Sequence, residues 1–317
     1  MGKLICLDFG GSSIKYGALD RSSLRTLTDK GRVPNSFVDR EEFLDAVLKI
    51  VAELKDRTKD AEGIAVSYCG ELDHAQGVIY SPGTYLYNSG LRLKEFLEAH
   101  FGLPASVEND GNAALLAEAQ FGPLKGYENA GMIVLGTGIG GAFLLDGRLH
   151  TGRHGFAGML SFCANDLSKP PELDNMAIAY VASHYLTREY LIRTGQAARE
   201  EFRGGTWELE RKPMDGKSFF RLIEEGDAVA HEVLTDYAKN IARFIMSLQC
   251  VLELDAYAIG GGVSEQDALI ASIQQEVEKV FAPDLGMLQP AIYRAGFGND
   301  ANLIGAGLWF ETLYAEK

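Results

Sequence analysis

The chain has no long apolar run: nowhere do the eighteen or so apolar residues of a membrane span follow one another, so no membrane partner is expected. It is also poor in positive charge, with 30 Lys and Arg against 44 Asp and Glu and a formal net charge of −14. That sign argues against a nucleic-acid or anionic-lipid surface, and leaves any anionic ligand to local backbone donors and dipoles. Cysteine is scarce. Cys6, Cys69, Cys163 and Cys250 show no C-x-x-C spacing, and three of them sit in apolar runs, which points to free thiols in the core rather than to disulfides or metal. No Pro/Gly/Ser-rich linker or low-complexity tract marks a domain boundary. The opening MGKLICLDFGG enters an apolar strand too early for a signal peptide, so a cytoplasmic location is expected.

What is present is an alternation of strand and helix patterns. With 46% apolar residues, the 317-residue chain has material for one large core or two moderate ones. Residues 3–20 read as two short strands joined by a Gly-Gly-Ser-Ser turn. Residues 40–58 place Phe43, Val47, Ile50, Val51 and Leu54 at helical intervals, one face buried. Strands GIAVSY and VIYS flank a turn-rich stretch, a helix runs from Leu93 to about His100, and Pro104 opens the short strand ASVEN. A helix is expected near Asn112, after which GMIVLGTGIGGAFLLDG repeats the N-terminal strand–turn–strand design. Residues 166–226 read as polar and helical, broken at Pro170-Pro171, Gly204-Gly205 and Pro213. A long helix from Ala228 to Leu252, a strand at AYAIGGGVS, a helix over 266–281 and a last strand-to-helix step at AGFGNDANLIGAGLWFETLY follow. Alternating strands and helices mean an α/β protein.

Three glycine clusters follow apolar strands: Gly10-Gly11-Ser12-Ser13, Gly136 through Gly141, and Gly260-Gly261-Gly262. Glycine lets a ligand approach the backbone, and successive free N–H groups make a concave anion site suited to phosphate. Gly136, Gly138 and Gly141 also satisfy G-x-G-x-x-G, but that dinucleotide motif needs a helix at its third glycine. Here AFLLDGRLH follows, an apolar strand closed by an Asp-Gly turn, so a hairpin is expected and an NAD site is not.

Asp8, before the first turn, is placed to reach a Mg²⁺ ion through water, or only to cap its turn. Lys15 lies near phosphates or is a solvated strand lysine. The stretch Glu108-Asn109-Asp110-Gly111-Asn112 carries more polar groups than a helix start needs. From residue types alone, Asp110 is equally a base that accepts a hydroxyl proton and, like Asn112, a helix cap. His150 and His154 read as loop histidines or substrate contacts. Tyr80, Tyr85 and Tyr87 read as a stacking face for a sugar ring or as loop packing.

The segments LDFGGSSIKYGALD, VENDGNAALLAEAQFG, VLGTGIGGAFLLDGRLHTGRHGFAG, AIGGGVS and GFGNDANLIGAG resemble, in family order, the signatures of the ROK family of bacterial sugar kinases and related repressors. The resemblance runs from Leu4 to Gly307. It implies the two-domain actin/hexokinase-like (ribonuclease H-like) fold around a nucleotide and sugar cleft: residues 1–107, residues 108–305, and a terminal helix at 306–317 returning to the first domain. It also implies ATP and Mg²⁺ as cofactors. Asp8 would face the metal, with Gly10, Gly11, Ser12 and Lys15 in the first phosphate loop. Thr137, Gly138, Gly140 and Gly141 would form the second loop, and Gly260, Gly261 and Gly262 would flank adenosine. Asp110 would be the general base, with Asn109, Gly70, Asp73 and Asn88 on the sugar side.

The first loop begins within ten residues of the start, which favours the kinase branch over the repressors. Homodimers are common in the family. Where many members read Ala-Gly-Glu-x-Gly-His before a cysteine-rich zinc site, this chain reads Ala157-Gly158-Met159-Leu160-Ser161-Phe162. No zinc site is therefore expected, as in a subgroup resembling β-glucoside kinases and glucokinase-like proteins. Met159, at a sugar-contact position, lacks a charge-assisted hydrogen bond of about 1.5–3 kcal/mol. A hexose, an amino sugar or a β-glucoside is expected as acceptor, and the competing expectation is a sugar- or nucleotide-sensing protein of weakened catalysis. A kinase for a non-sugar acceptor is a third.

Overall fold

A computed structural model describes residues 2–81, 83–199, 214–281 and 286–314. The expected breaks at Gly204-Gly205 and Pro213 lie outside the described residues. Two compact units divide the chain. The first takes the described residues up to Lys125, then Leu149–Ala157 and those from Phe297 onward; the second takes Gly126–Arg148 and those of Gly158–Gly296.

In the first unit, β1 (Lys3–Phe9) is a run of apolar residues buried on both faces, as a central strand requires. It pairs antiparallel with β2 (Ser13–Asp20) and parallel with β4 (Ala61–Tyr68). The edges are β3 (Leu27–Pro34) and β7 (Ala105–Asn109), giving the order β3-β2-β1-β4-β7. A separate hairpin, β5 (Glu71–Asp73) and β6 (Val78–Ser81), carries the turn-rich stretch. Helix α1 (Arg40–Arg57) buries the five residues its spacing singled out, and the Asp39 side chain caps it by accepting the Glu42 N–H. Helix α2 (Leu93–Phe101) ends at Gly102 in the left-handed region (φ 64°). Helix α3 (Asp110–Phe121) packs against α9 (Ala301–Tyr314), which also covers β1, β2, β4 and β7. These contacts keep α3 in the first compact unit, whose opening segment runs to Lys125.

The second unit repeats the scheme. Strands β8 (Ala130–Leu135), β9 (Ile139–Leu145) and β10 (Arg148–Leu149) precede β11 (Ala256–Gly260) and β12 (Ala291–Arg294), in the order β10-β9-β8-β11-β12. In both sheets a meander of antiparallel strands is followed by two parallel ones, which is the structural form of the weak sequence repeat. Helices α4 (Ala177–Val181), α5 (His184–Arg193) and α6 (Gly216–Glu224) pack with α7 (Ala228–Leu252), whose ends match the sequence reading. Helix α8 (Asp267–Val280) packs along α7. The last strand is AIYR at 291–294, earlier than expected, because Gly296 and Gly298 break the AGFGN segment into a loop. No described helix is long and apolar enough to cross a membrane.

Candidate active site

Asp8 lies one residue before the end of β1 and is 1% exposed. A buried carboxylate must be satisfied by protein donors, and this one is. Its Oδ1 accepts the Ser67 hydroxyl from β4 and the Asn302 side-chain amide from α9, each at 3.0 Å. Its Oδ2 faces the ammonium of Lys15, its cross-strand partner on β2, at 3.3 Å. Asp8 is therefore held by side chains rather than used as a turn cap, and Lys15 is its counter-ion. Ser67 and Asn302 were not singled out in the sequence. Their signals were a polar residue inside a buried strand and an amide at the start of the last helix.

Asn109, not Asp110 or Asn112, caps α3: its Oδ1 accepts the N–H groups of Gly111 (2.9 Å) and Asn112 (3.2 Å). Asp110 is the first residue of the helix, and its Oδ1 accepts the Gly111 N–H at 2.8 Å. Burial pushes its carboxyl up, the negative charge of Asp8 adds to this, and the donors at the helix start only partly offset them, leaving it raised from 3.8 to about 6. A carboxyl poised there can hold or release a proton near neutral pH.

Glu108 is fully buried at the end of β7 and organises this corner. Its Oε1 accepts the Asn109 N–H (2.7 Å) and the Asn112 side-chain amide (2.9 Å), and its carboxylate pairs with His74 Nδ1. The Asn109 side-chain amide donates to the Gly70 carbonyl (3.1 Å), tying α3 to the bend after β4. His74 was missed because a lone histidine in a turn carries no motif. Gly155, at φ 73°, fits against its ring: a Cβ there would stand 2.9 Å from His74 Nε2 and 2.4 Å from the Leu72 carbonyl.

Of the residues expected on the sugar side, Asp73 accepts the N–H groups of Ala75 and Gln76 through Oδ1, closing the β5–β6 turn, while Oδ2 accepts the Tyr80 hydroxyl at 3.3 Å. Asn88 is fully buried, its amide donating to the Tyr68 hydroxyl at 3.3 Å, and its Oδ1 has no partner among the described residues. Tyr85 is fully buried too, packed on Phe9, Phe43 and Tyr68. It belongs to the core and offers no stacking face; of the three tyrosines, Tyr80 is the exposed one.

In the second unit, residues 136–138 make the turn of the β8–β9 hairpin, while Gly140 and Gly141 lie on β9 opposite Val134 and Ile133. No helix starts at Gly141, as the dinucleotide motif would demand. Thr137 is exposed at the turn tip, and the Gly136 carbonyl accepts the N–H (3.0 Å) and hydroxyl (2.7 Å) of Ser183. A Cβ on Gly138 would approach the Ser161 hydroxyl at 2.9 Å. Met159, partly buried, precedes the short helical turn Leu160–Phe162. Gly260 closes β11, and Gly261 sits at φ 93°, where a Cβ would lie 2.2 Å from the Leu135 carbonyl oxygen. His150 and His154 are exposed.

The chain is 28% identical over 305 residues to a β-glucoside kinase of Listeria monocytogenes, covering 96% of each chain. It is 29% identical over 323 residues to a glucokinase of Halalkalibacterium halodurans, covering 95% of this chain and 92% of that one. Among solved structures it resembles a ROK family protein from Streptococcus pneumoniae in complex with sucrose, with a TM-score of 0.82, 25% identity, and 99% and 100% of the two chains covered. The fold is accordingly the two-domain actin/hexokinase-like one. The ROK family matches residues 4–312, from the first strand into the last helix, and the chain belongs to that family.

Proposed function

We propose that the protein is an ATP-dependent sugar kinase in which Asp110 is the general base. The observation that carries the proposal is the Asp110 carboxyl at the start of α3, raised to about 6 by burial and by the charge of Asp8, and anchored by one backbone N–H. Ionised above that pH, it accepts the proton of a sugar hydroxyl as the oxygen attacks the γ-phosphorus. The bond between the sugar oxygen and phosphorus forms, the bond to the ADP oxygen breaks, and the proton stays on Asp110. Asn109, Gly70, Asp73 and Asn88 are the acceptor-side residues in this reading.

The turn at Gly10, Gly11 and Ser12 offers the Gly11 and Ser12 N–H groups to phosphate oxygens, with Lys15 on the strand that follows. From the second unit the reading takes Thr137, Gly138, Gly140 and Gly141 for phosphates and Gly260, Gly261 and Gly262 for adenosine. The donor set at Asp8 fits Mg²⁺: it is one hard carboxylate whose Oδ2 has, among the described residues, only the 3.3 Å lysine contact, and Mg²⁺ keeps most of its water. Bound through water there, the ion would neutralise charge on the phosphates. The acceptor is a hexose, an amino sugar or a β-glucoside, and a cytoplasmic homodimer is the accompanying expectation.

The test is ATP turnover with product identification across glucose, mannose, N-acetylated amino sugars and β-linked disaccharides. A sugar phosphate from at least one of them supports the reading. Sugar or nucleotide binding with no product from any member of the panel would favour a sensing protein instead.

A further inference from the structure

The first glycine turn is restrained more than a hairpin requires. The Gly10 carbonyl accepts the Tyr85 hydroxyl at 2.9 Å, and the Gly11 carbonyl accepts the Asn35 side-chain amide at 3.1 Å. The Ser12 carbonyl accepts the Asn35 backbone N–H at 3.0 Å, and the Ser13 carbonyl accepts the Gly10 N–H at 3.1 Å. Four successive carbonyls are thus engaged by protein donors. In a planar trans peptide the C=O and the following N–H point in opposite directions. Anchoring the Gly10 and Gly11 carbonyls therefore aims the N–H groups of Gly11 and Ser12 to the other side, where neither has a protein acceptor among the described residues.

The restraint has a physical reason. Two adjacent glycines let a phosphate come close, but they also let the peptide between them rotate cheaply. A rotated Gly10–Gly11 peptide would present a carbonyl oxygen, a like partial charge, to a phosphate oxygen. Tyr85 is well built to prevent this, because its ring is fully buried among Phe9, Phe43 and Tyr68 and its hydroxyl has one position. Asn35, just past the end of β3, holds two further carbonyls through its backbone and its side chain.

We infer that Tyr85 and Asn35 are positioning residues for the nucleotide triphosphate, holding the turn carbonyls back so that the Gly11 and Ser12 N–H groups stand ready for phosphate oxygens. The inference deepens the kinase reading and rests on it. Neither residue touches substrate in this account.

The experiment compares Tyr85→Phe, which removes only the hydroxyl, and Asn35→Ala, which leaves the backbone N–H in place, with the wild-type full chain. Affinity for MgAMPPNP is measured by calorimetry, affinity for adenosine by ligand-observed NMR, and folding by thermal melting. Each variant is expected to weaken MgAMPPNP binding about tenfold while adenosine binding stays within about twofold, and the KM for MgATP should rise more than kcat falls. Unchanged MgAMPPNP affinity overturns the inference and leaves the kinase reading standing. An equal loss of adenosine and MgAMPPNP affinity with a lower melting temperature also overturns it, since that is what a purely structural role produces. A wild-type chain that binds neither nucleotide removes the kinase reading and the inference with it.

Discussion

Replacing Asp110 by Asn should stabilise the ligand-free protein near neutral pH. The folded chain holds this carboxyl at about 6 against an ordinary 3.8, with burial the larger cause and Asp8 the second. Between those values the native state keeps a proton that the unfolded chain releases, so stability falls as pH rises from about 4 to 6 and is then level. Two pH units at about 1.4 kcal/mol each put the cost of the ionised carboxylate at roughly 3 kcal/mol above pH 6. Asparagine keeps the shape, and its carbonyl can still accept the Gly111 N–H, but it carries no charge to repel Asp8. The variant should therefore melt higher than wild type at pH 8, by about 6–12 °C if each kcal/mol moves the midpoint by roughly 2–4 °C. At pH 4 the two should coincide. Thermal melts at pH 4, 6 and 8 without nucleotide or metal provide the assay. Equal melting temperatures at pH 8, or an advantage that grows toward pH 4, would refute the electrostatic reasoning.

Three further outcomes follow from the same geometry. Asn302→Ala removes one of the two donors to Asp8 Oδ1 and should lower kcat by about tenfold or more while the sugar KM changes little, read from steady-state kinetics. His74→Phe removes one of the three groups bonded to the fully buried Glu108 carboxylate and should cost about 1–3 kcal/mol in urea unfolding; a change below about 0.5 kcal/mol would show that the Asn109 N–H and the Asn112 amide suffice. Gly261→Ala forces a side chain into φ 93° with its Cβ 2.2 Å from the Leu135 carbonyl oxygen, and should destabilise by about 2–4 kcal/mol, seen as a lower melting temperature.

Much of the fold was legible where local chemistry and burial agree. Helices α1 and α7 carry an aspartate cap and an apolar face in plain sequence order, and their limits match. Strand β3 was not legible: LTDKGRVP is polar and holds Asp29, Gly31 and Pro34, a composition that an edge strand tolerates and a propensity argument rejects. The grouping of α3 with the first sheet was not legible, because the repeat of glycine turns says nothing of α9, which returns from the end of the chain to pack on α3.

At the site, Asp8 and Asp110 stood out in sequence because Asp8 lies two residues before the Gly10-Gly11 turn and Asp110 directly before Gly111, each where a strand gives way. Which residue caps α3 was not legible, since Asn109 rather than Asp110 or Asn112 takes the capping bonds. Tyr85 read equally as a stacking face and as loop packing and is core, because the burial of a loop side chain depends on Phe9 and Phe43 from distant segments. The braces from Ser67, Asn302 and Asn35 were invisible for the same reason: each acts across tens to hundreds of residues of sequence.

The central claim is that Asp110 takes the proton from the sugar. Its most direct test is the turnover of Asp110→Asn with whichever sugar the wild type phosphorylates, measured at saturating MgATP beside the affinity for MgAMPPNP. The account predicts nucleotide affinity within a few-fold of wild type and a kcat lower by about 10²–10⁴. Turnover within tenfold of wild type would contradict it.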